Sequence, residues 1–305
     1  MERYILKRIA QSIIVLFGIT AVVFFVLNLT GNVLDFMLPP GTAEEVYEEY
    51  TERLGLDDPL LVQYGRFLVK AVQGDFGESH FYKQPALEVV LERIPATFTL
   101  AAAAFLIALA WSIPIGILSA YKRNSLLDTI ARVIAMLGQS IPNFWFGILL
   151  MLIFSVKLNL LPTYGYESYA HLILPAFALS TGTGATILRL LRSSMIDVLG
   201  QEYISVARAK GVHNFALVTK HAFKNCLSSV LTIMGLQLAS LMSGALVIES
   251  VFSWPGVGRL LQQSILNRDF MVVEAGVCVI ACLFVFINLL VDVLYAVINP
   301  RIKYS

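Results

Sequence analysis

The chain has 305 residues, 57% of them hydrophobic and only 14% charged, with 22 Lys and Arg against 21 Asp and Glu. A soluble domain carries roughly 25% charged residues, and here the charges sit in blocks, so the composition reads as an all-α integral membrane protein. The net charge of +1 gives none of the basic footprint of nucleic-acid binding, and Cys226, Cys278 and Cys282 lack metal-ligand spacing or a disulfide framework.

A bilayer core takes about 20 apolar residues as helix, and six runs reach or approach that length. The first, Ile9–Leu29, is uncharged and follows Arg3, Lys7 and Arg8. It begins like a signal peptide, but the apolar run is too long for one and no small-x-small cleavage site follows, so it reads as an uncleaved helix. The acidic aqueous segment after it reads as a small helical cap. Thr42–Leu54 is predicted helical, with Thr42 as N-cap, Glu45 closing a capping box and Gly55 as the stop. Pro59, after Asp57 and Asp58, starts a second helix running to about Val72, and GDFGES then turns the chain. The acidity of the cap reads as a solvated face.

The second run is Ala96–Ala120. The third, Val133–Val156, carries Gln139, Ser140, Pro142 and Asn143 mid-span, and Pro142 permits a kink. The fourth, Leu172–Leu188, is rich in Ser, Thr and Gly, with Thr181 and Thr183 among them. The fifth, about Asn225–Ile248, sets Gln237, Ser240 and Ser243 along one face. The sixth is Ala275–Val291, with Asn288 and Asp292 toward its inner end. The polar faces of spans three, four and five are the candidate lining of a translocation path: Ser140, Asn143, Thr181, Thr183, Gln237, Ser240 and Ser243. Small residues also let helices pack closely, and both readings stand at this point.

Between spans four and five lies the polar, basic stretch Gln201–Thr232. Glu202–Lys210 is built of helix formers and stops at Gly211, and a second helical stretch starts at Asn214. Lys and Arg orient the chain. With the N-terminus in the cytoplasm, most of them fall inside, including Lys122, Arg123, Arg132, Arg189, Arg192, Arg208, Lys210, Lys220 and Lys224. Both termini are then cytoplasmic, and the basic stretch faces the cytoplasm. Pro255-Gly256 with Gly258 predicts a tight turn, followed by an amphipathic helix over Gly258–Asn267, with Phe252 and Trp254 suited to an outer interface belt.

The usual catalytic signatures are missing. No GxxxxGK[ST] phosphate loop, HExxH or GxSxG occurs. His80, His171, His213 and His221 are scattered, and only His171 is placed to meet a substrate.

Four motifs give the chain a family likeness. They are YISVARAKG over Tyr203–Gly211, with His221 and Asn225 following; LGLDDPLLVQYGRFL with GDFGES over Leu54–Ser79; IPATFTLA over Ile94–Ala101; and ESVFSWPGVGRLL over Glu249–Leu261 with NRDF over Asn267–Phe270. Together they resemble the first of the paired permease subunits of bacterial ABC importers in the dipeptide/oligopeptide/nickel family. Ser229 stands where that family usually has a proline, and Phe270-Met271 where it often has Tyr-Pro. SIPNFW over Ser140–Trp145 leans toward nickel-type members without choosing a substrate.

The resemblance implies the type I importer permease fold, with six transmembrane helices and an extracytoplasmic helical cap between the first two. The implied division is an N-terminal transmembrane helix over 1–30, a cap over 31–95, a transmembrane core over 96–298 with a cytoplasmic coupling loop over 189–228, and a cytoplasmic tail over 299–305. It implies a bacterial inner-membrane complex with a second homologous permease, two cytoplasmic ABC ATPases and an external solute-binding protein. This chain binds no cofactor in that picture; ATP and Mg belong to the ATPases. The coupling residues implied are Glu202, Tyr203, Ala207, Arg208, Ala209, Lys210, Gly211, His221 and Asn225. Those of an outer gate or binding-protein contact are Glu249, Phe252, Pro255, Gly256 and Gly258. The competing reading is a secondary transporter driven by an ion gradient, which would favour paired halves with broken helices and a membrane-embedded carboxylate; the sequence displays no internal repeat and no mid-membrane carboxylate.

Overall fold

In a bilayer an uncharged run must satisfy its backbone groups internally, and a helix does so within a single segment. The first run obeys this as α1, Glu2–Leu29. The structure is a computed structural model that describes residues 2–29, 34 and 42–298. Twelve more helices follow among the described residues: α2 Glu44–Leu54, α3 Leu60–Val72, α4 Ala86–Leu91, α5 Ile94–Tyr121, α6 Leu126–Ser140, α7 Asn143–Leu150, α8 Ala170–Leu199, α9 Glu202–Ala209, α10 Asn214–Ala216, α11 Lys224–Val251, α12 Val257–Leu266 and α13 Phe270–Ile298. π-helical turns extend α7 over Met151–Lys157 and join α10 to α11 over Leu217–Phe223. Among the described residues there is no β-strand, only an isolated bridge between Glu78 and Pro85.

The chain divides into two units. One takes Thr97–Pro255 and the segment from Ile287 onward; the other takes Glu2–Ala96 and Gly256–Phe286.

In the second unit, α4, α12 and α13 close on Ala86, Val89, Val90, Val257, Leu260, Val272 and Ala275. α3 is tied to α1 by Tyr64, whose hydroxyl donates to the Phe17 carbonyl at 3.0 Å. The turn after α3 is fixed by Ser79, which donates to the buried Asp269 carboxylate. The two cap helices form as expected, and Gly55 ends α2 with φ 65°. The N-terminus of α2 differs. Its N-cap is Ala43, not Thr42, and no side chain caps it, so the expected capping box does not form.

In the first unit, α8 packs against α6, α7 and α11. Its residues Ile187, Leu191 and Met195 meet Val218, Ala222, Cys226 and Val230 in a buried cluster. Three sequence expectations change here. The third span is not one kinked helix: α6 and the α7 segment meet at a 107° bend. Pro142 explains it, because its ring disfavours helical backbone at the residue before it. Ile141 is extended, with φ −86° and ψ 123°. Among the described residues, five helices are long and apolar enough to cross a membrane, and the bent pair supplies a sixth crossing if it counts as one span. The fourth span runs on to Leu199, so Arg189 and Arg192 belong to a helix and not to a loop. Phe252 and Trp254 are each only 2% exposed. They do not form an interface belt: the Trp254 ring meets Tyr166 edge to face at 4.7 Å, and its amide donates to the Glu249 carbonyl at 2.8 Å. α11 passes Ser229 as uninterrupted helix. The side chain of Asp292 lies outside the described residues.

Candidate translocation path and coupling segment

The break between α6 and α7 puts irregular backbone and polar side chains at one place. Within a membrane such backbone is tolerated only where protein covers it or where it lines a cavity. A cavity of about 450 Å³ is found there, lined by residues of the break (Gln139 and Asn143), of α8 (Thr183 and Thr186) and of α11 (Gln237 and Ser240). Four expected path residues, Asn143, Thr183, Gln237 and Ser240, therefore share one cavity. The other three do not. Thr181 donates to the Ala178 carbonyl at 2.8 Å and to Asn143 Oδ1 at 3.3 Å, and it lines a separate apolar cavity with Trp111, Phe146 and Phe177. Ser140 lines a third cavity, with Arg132, Arg189 and Arg192. Ser243 is exposed and lines none of these three cavities.

One cluster escaped the sequence reading. Asp128 of α6 is fully buried. Arg192 Nε donates to its Oδ1 at 2.6 Å and Nη2 to its Oδ2 at 2.9 Å. Ser119 Oγ of α5 donates to Oδ1 at 2.6 Å, and the Asn124 amide to Oδ2 at 3.0 Å. Asn124 has φ 64°, a left-handed turn conformation that asparagine tolerates. Ser125 caps α6 by accepting from the Asp128 amide. The signal was in the sequence: S-x-x-D at Ser125–Asp128, directly before an apolar run, is the pattern of a capping box, although the Asp128 carboxylate takes the Asn124 amide and that of Ser125 goes to the Lys122 carbonyl. What the sequence does not display is that Arg192, 64 residues on, meets that carboxylate.

The coupling segment follows directly from α8. α9 carries Ile204 inward, only 1% exposed, while Glu202, Tyr203, Arg208, Ala209 and Lys210 are exposed and Ala207 is half-buried. Gly211 turns the chain with φ 81°, and a β-carbon there would meet nothing within 4 Å. Asn225 Nδ2 donates to the Tyr203 hydroxyl at 3.1 Å and to the His221 carbonyl at 2.6 Å, so three expected coupling residues meet and tie α9 to the start of α11. His213 is exposed and caps α10 by accepting from the Phe215 amide at 3.3 Å.

Of the expected outer-gate residues, Glu249 and Phe252 are buried at 0% and 2%, and Pro255 is half-buried. The Phe252 ring fills the space that a side chain on Gly147 would need. Gly256 and Gly258 are buried in the other unit. His171 is half-buried, its Nδ1 3.0 Å from the Ser168 hydroxyl. No group of three or more His, Cys, Asp or Glu among the described residues could hold a metal ion.

A helical membrane bundle with a broken span, a polar cavity at the break and an exposed, Gly-turned helix beside it has the architecture of a type I ABC importer permease. Solved structures share that fold. The inward-facing MetNI methionine ABC transporter in its CY5 native crystal form superposes with a TM-score of 0.58 at 18% identity, over 69% of this chain and 96% of that one. An amino acid ABC transporter crystallised with histidines gives 0.54 at 15% identity, over 70% and 94%.

The chain belongs to the binding-protein-dependent transport system inner membrane component family, whose model matches residues 112–304; the N-terminal model of the same kind of component matches 1–101. Two curated relatives match over the full length of both chains at 40% identity. They are the oligopeptide transport system permease protein AppB of Bacillus subtilis strain 168 and the glutathione transport system permease protein GsiC of Escherichia coli strain K12. The protein is thus a multi-pass inner-membrane permease subunit of an ABC importer, a class that works with ATPase and binding-protein partners. The matches leave the ion-gradient carrier without support.

Proposed function

We propose that this chain forms half of the path of an importer for short peptides and transmits the ATPase stroke through α9. The substrate reading rests on AppB and GsiC, whose names specify oligopeptides and glutathione, itself a tripeptide. In this reading the chain pairs with a second, homologous permease, two cytoplasmic ATPases carrying ATP and Mg, and an external binding protein. It catalyses nothing itself and binds no cofactor, and both termini lie in the cytoplasm. The path is the cavity of Asn143, Thr183, Gln237 and Ser240, whose amides and hydroxyls suit a peptide backbone.

The observation that carries the coupling role is the mounting of α9. Ile204 and the Tyr203–Asn225 hydrogen bond fix it to the body, and its other side is exposed, with Tyr203 45% and Val206 53% accessible. A rigid exposed knob joined to the central helix α8 can carry a push from a partner into the path. Arg208 and Lys210 add charges that carboxylates on an ATPase can meet.

Gly211→Asp tests this. The site is open, so the chain still inserts, at a cost on the order of 1 kcal/mol for the left-handed backbone. Uptake is abolished, because the new side chain and charge stand where the partner docks. Normal uptake together with normal ATPase copurification would refute the assignment. For the substrate, titrating the cognate binding protein with peptides and with nickel chelates decides: tight binding of a nickel chelate and none of peptides ends the peptide reading.

A further inference from the structure

Beside the polar cavity lies the arginine-lined cavity that Ser140 joins, of about 510 Å³, toward the end of α8 that leads to α9. Its volume suits a small organic molecule, for which pockets span roughly 300–1,000 Å³. Arg132 and Gln139 reach it from one face of α6, two turns apart, and Arg189 and Arg192 from successive turns of α8. Gln139 lines both cavities, so the two adjoin.

The charges are unequal. Arg192 is held by Asp128. Arg132 Nε stands 3.9 Å from the same carboxylate and its Nη2 donates to Thr129 at 3.2 Å. Arg189 has no ion-pair partner among the described residues. Three guanidinium groups thus line the cavity while one carboxylate, Asp128, stands against two of them, and the cavity keeps an excess of positive charge beside low-dielectric walls, which strengthen its field. A guanidinium fork matches a carboxylate in geometry as well as charge.

We propose that Arg189 and Arg132 form an anion subsite that takes a carboxylate of the passing peptide as it leaves the polar cavity; this rests on the peptide-import reading above. The subsite is exposed, so its hold is weak, which suits a path that must also release. Its contribution is to draw anionic substrate groups toward the coupling-segment end. A lipid phosphate has similar chemistry, and the experiment separates the two sources.

The complete complex, with its second permease, ATPases and binding protein, is reconstituted in vesicles of phosphatidylcholine alone and with added phosphatidylglycerol. Initial rates are measured for alanyl-glutamyl-alanine and alanyl-lysyl-alanine. Arg189→Glu is expected to lower the ratio of the first rate to the second by about five-fold, the scale of one exposed ion pair, in both vesicle types. Arg189→Gln, the milder variant, lowers it by about two-fold on the same scale, and Arg189→Lys restores it. A ratio unchanged in Arg189→Glu and Arg189→Gln overturns the subsite while leaving peptide import standing. Equal slowing of both peptides, confined to vesicles with phosphatidylglycerol, assigns the arginines to lipid and overturns it too. A wild-type complex that moves neither peptide overturns the import reading on which the subsite rests.

Discussion

α1 and α8 are both long enough to cross a bilayer, yet only 6% of the most apolar stretch of α1 is buried within the chain, against 61% of that of α8. The less apolar helix is the more buried one. In water the order would be reversed. Lipid is as good a solvent for leucine as another leucine is, so apolar bulk draws no helix inward, and α1 leaves Ile13, Ile14, Phe17 and Val22 more than half exposed. What brings α8 inside is the set of features lipid cannot serve: small residues that admit close neighbours, hydroxyls, and Arg192 with its carboxylate partner.

This contrast can be broken at several points. Arg192→Ala removes the partner of a fully buried Asp128 and is expected to cost ~3–5 kcal/mol. A thermal melt of the solubilised complex should show it largely unassembled; a melt close to wild type would mean that the pair does not hold α8 in place. Replacing both residues with Leu should recover part of the loss, because the charge and its partner go together.

A smaller effect is expected from Gly184→Leu. A β-carbon there overlaps the Trp111 ring, and overpacking of this kind costs about 1–3 kcal/mol. The matched change in the first helix, Gly18→Leu, meets nothing within 4 Å and should leave the melting temperature where it was. Equal losses at the two glycines would erase the distinction between a helix left open by this chain and a packed one.

The smallest effect separates two serines that sequence spacing groups together. Ser240→Phe should shift the KM for peptide uptake several-fold, because Ser240 lines the polar cavity. Ser243→Phe, at a position that does not line this cavity, should leave uptake kinetics unchanged. If only the second variant alters uptake, the path runs elsewhere.

These pairs also mark where sequence reading stops. The stop of α9 at Gly211 was legible because a left-handed turn suits glycine, and so was the run of Ser, Thr and Gly in α8. Ser240 and Ser243 were not separable by spacing alone, since three residues along a helix differ by roughly 60° in direction and only the neighbours decide which of the two lines a cavity. Ala43 in place of Thr42 at the start of α2 is a similar case, because a capping box depends on where the helix begins and that can shift by one or two residues. Phe252 and Trp254 looked like belt aromatics because their chemistry fits one; Gly147 and Tyr166 supplied protein contacts instead.

By itself the sequence determined the membrane character, the run of helices and the turn at Gly211, because those follow from local chemistry: apolar length against bilayer thickness, and glycine against left-handed backbone. Tertiary structure alone decided the Asp128–Arg192 pair and the division of the polar residues among separate cavities. Each of these depends on groups far apart in the chain meeting in a medium where an unmatched charge or amide is costly, and no local pattern records which distant partner will answer it.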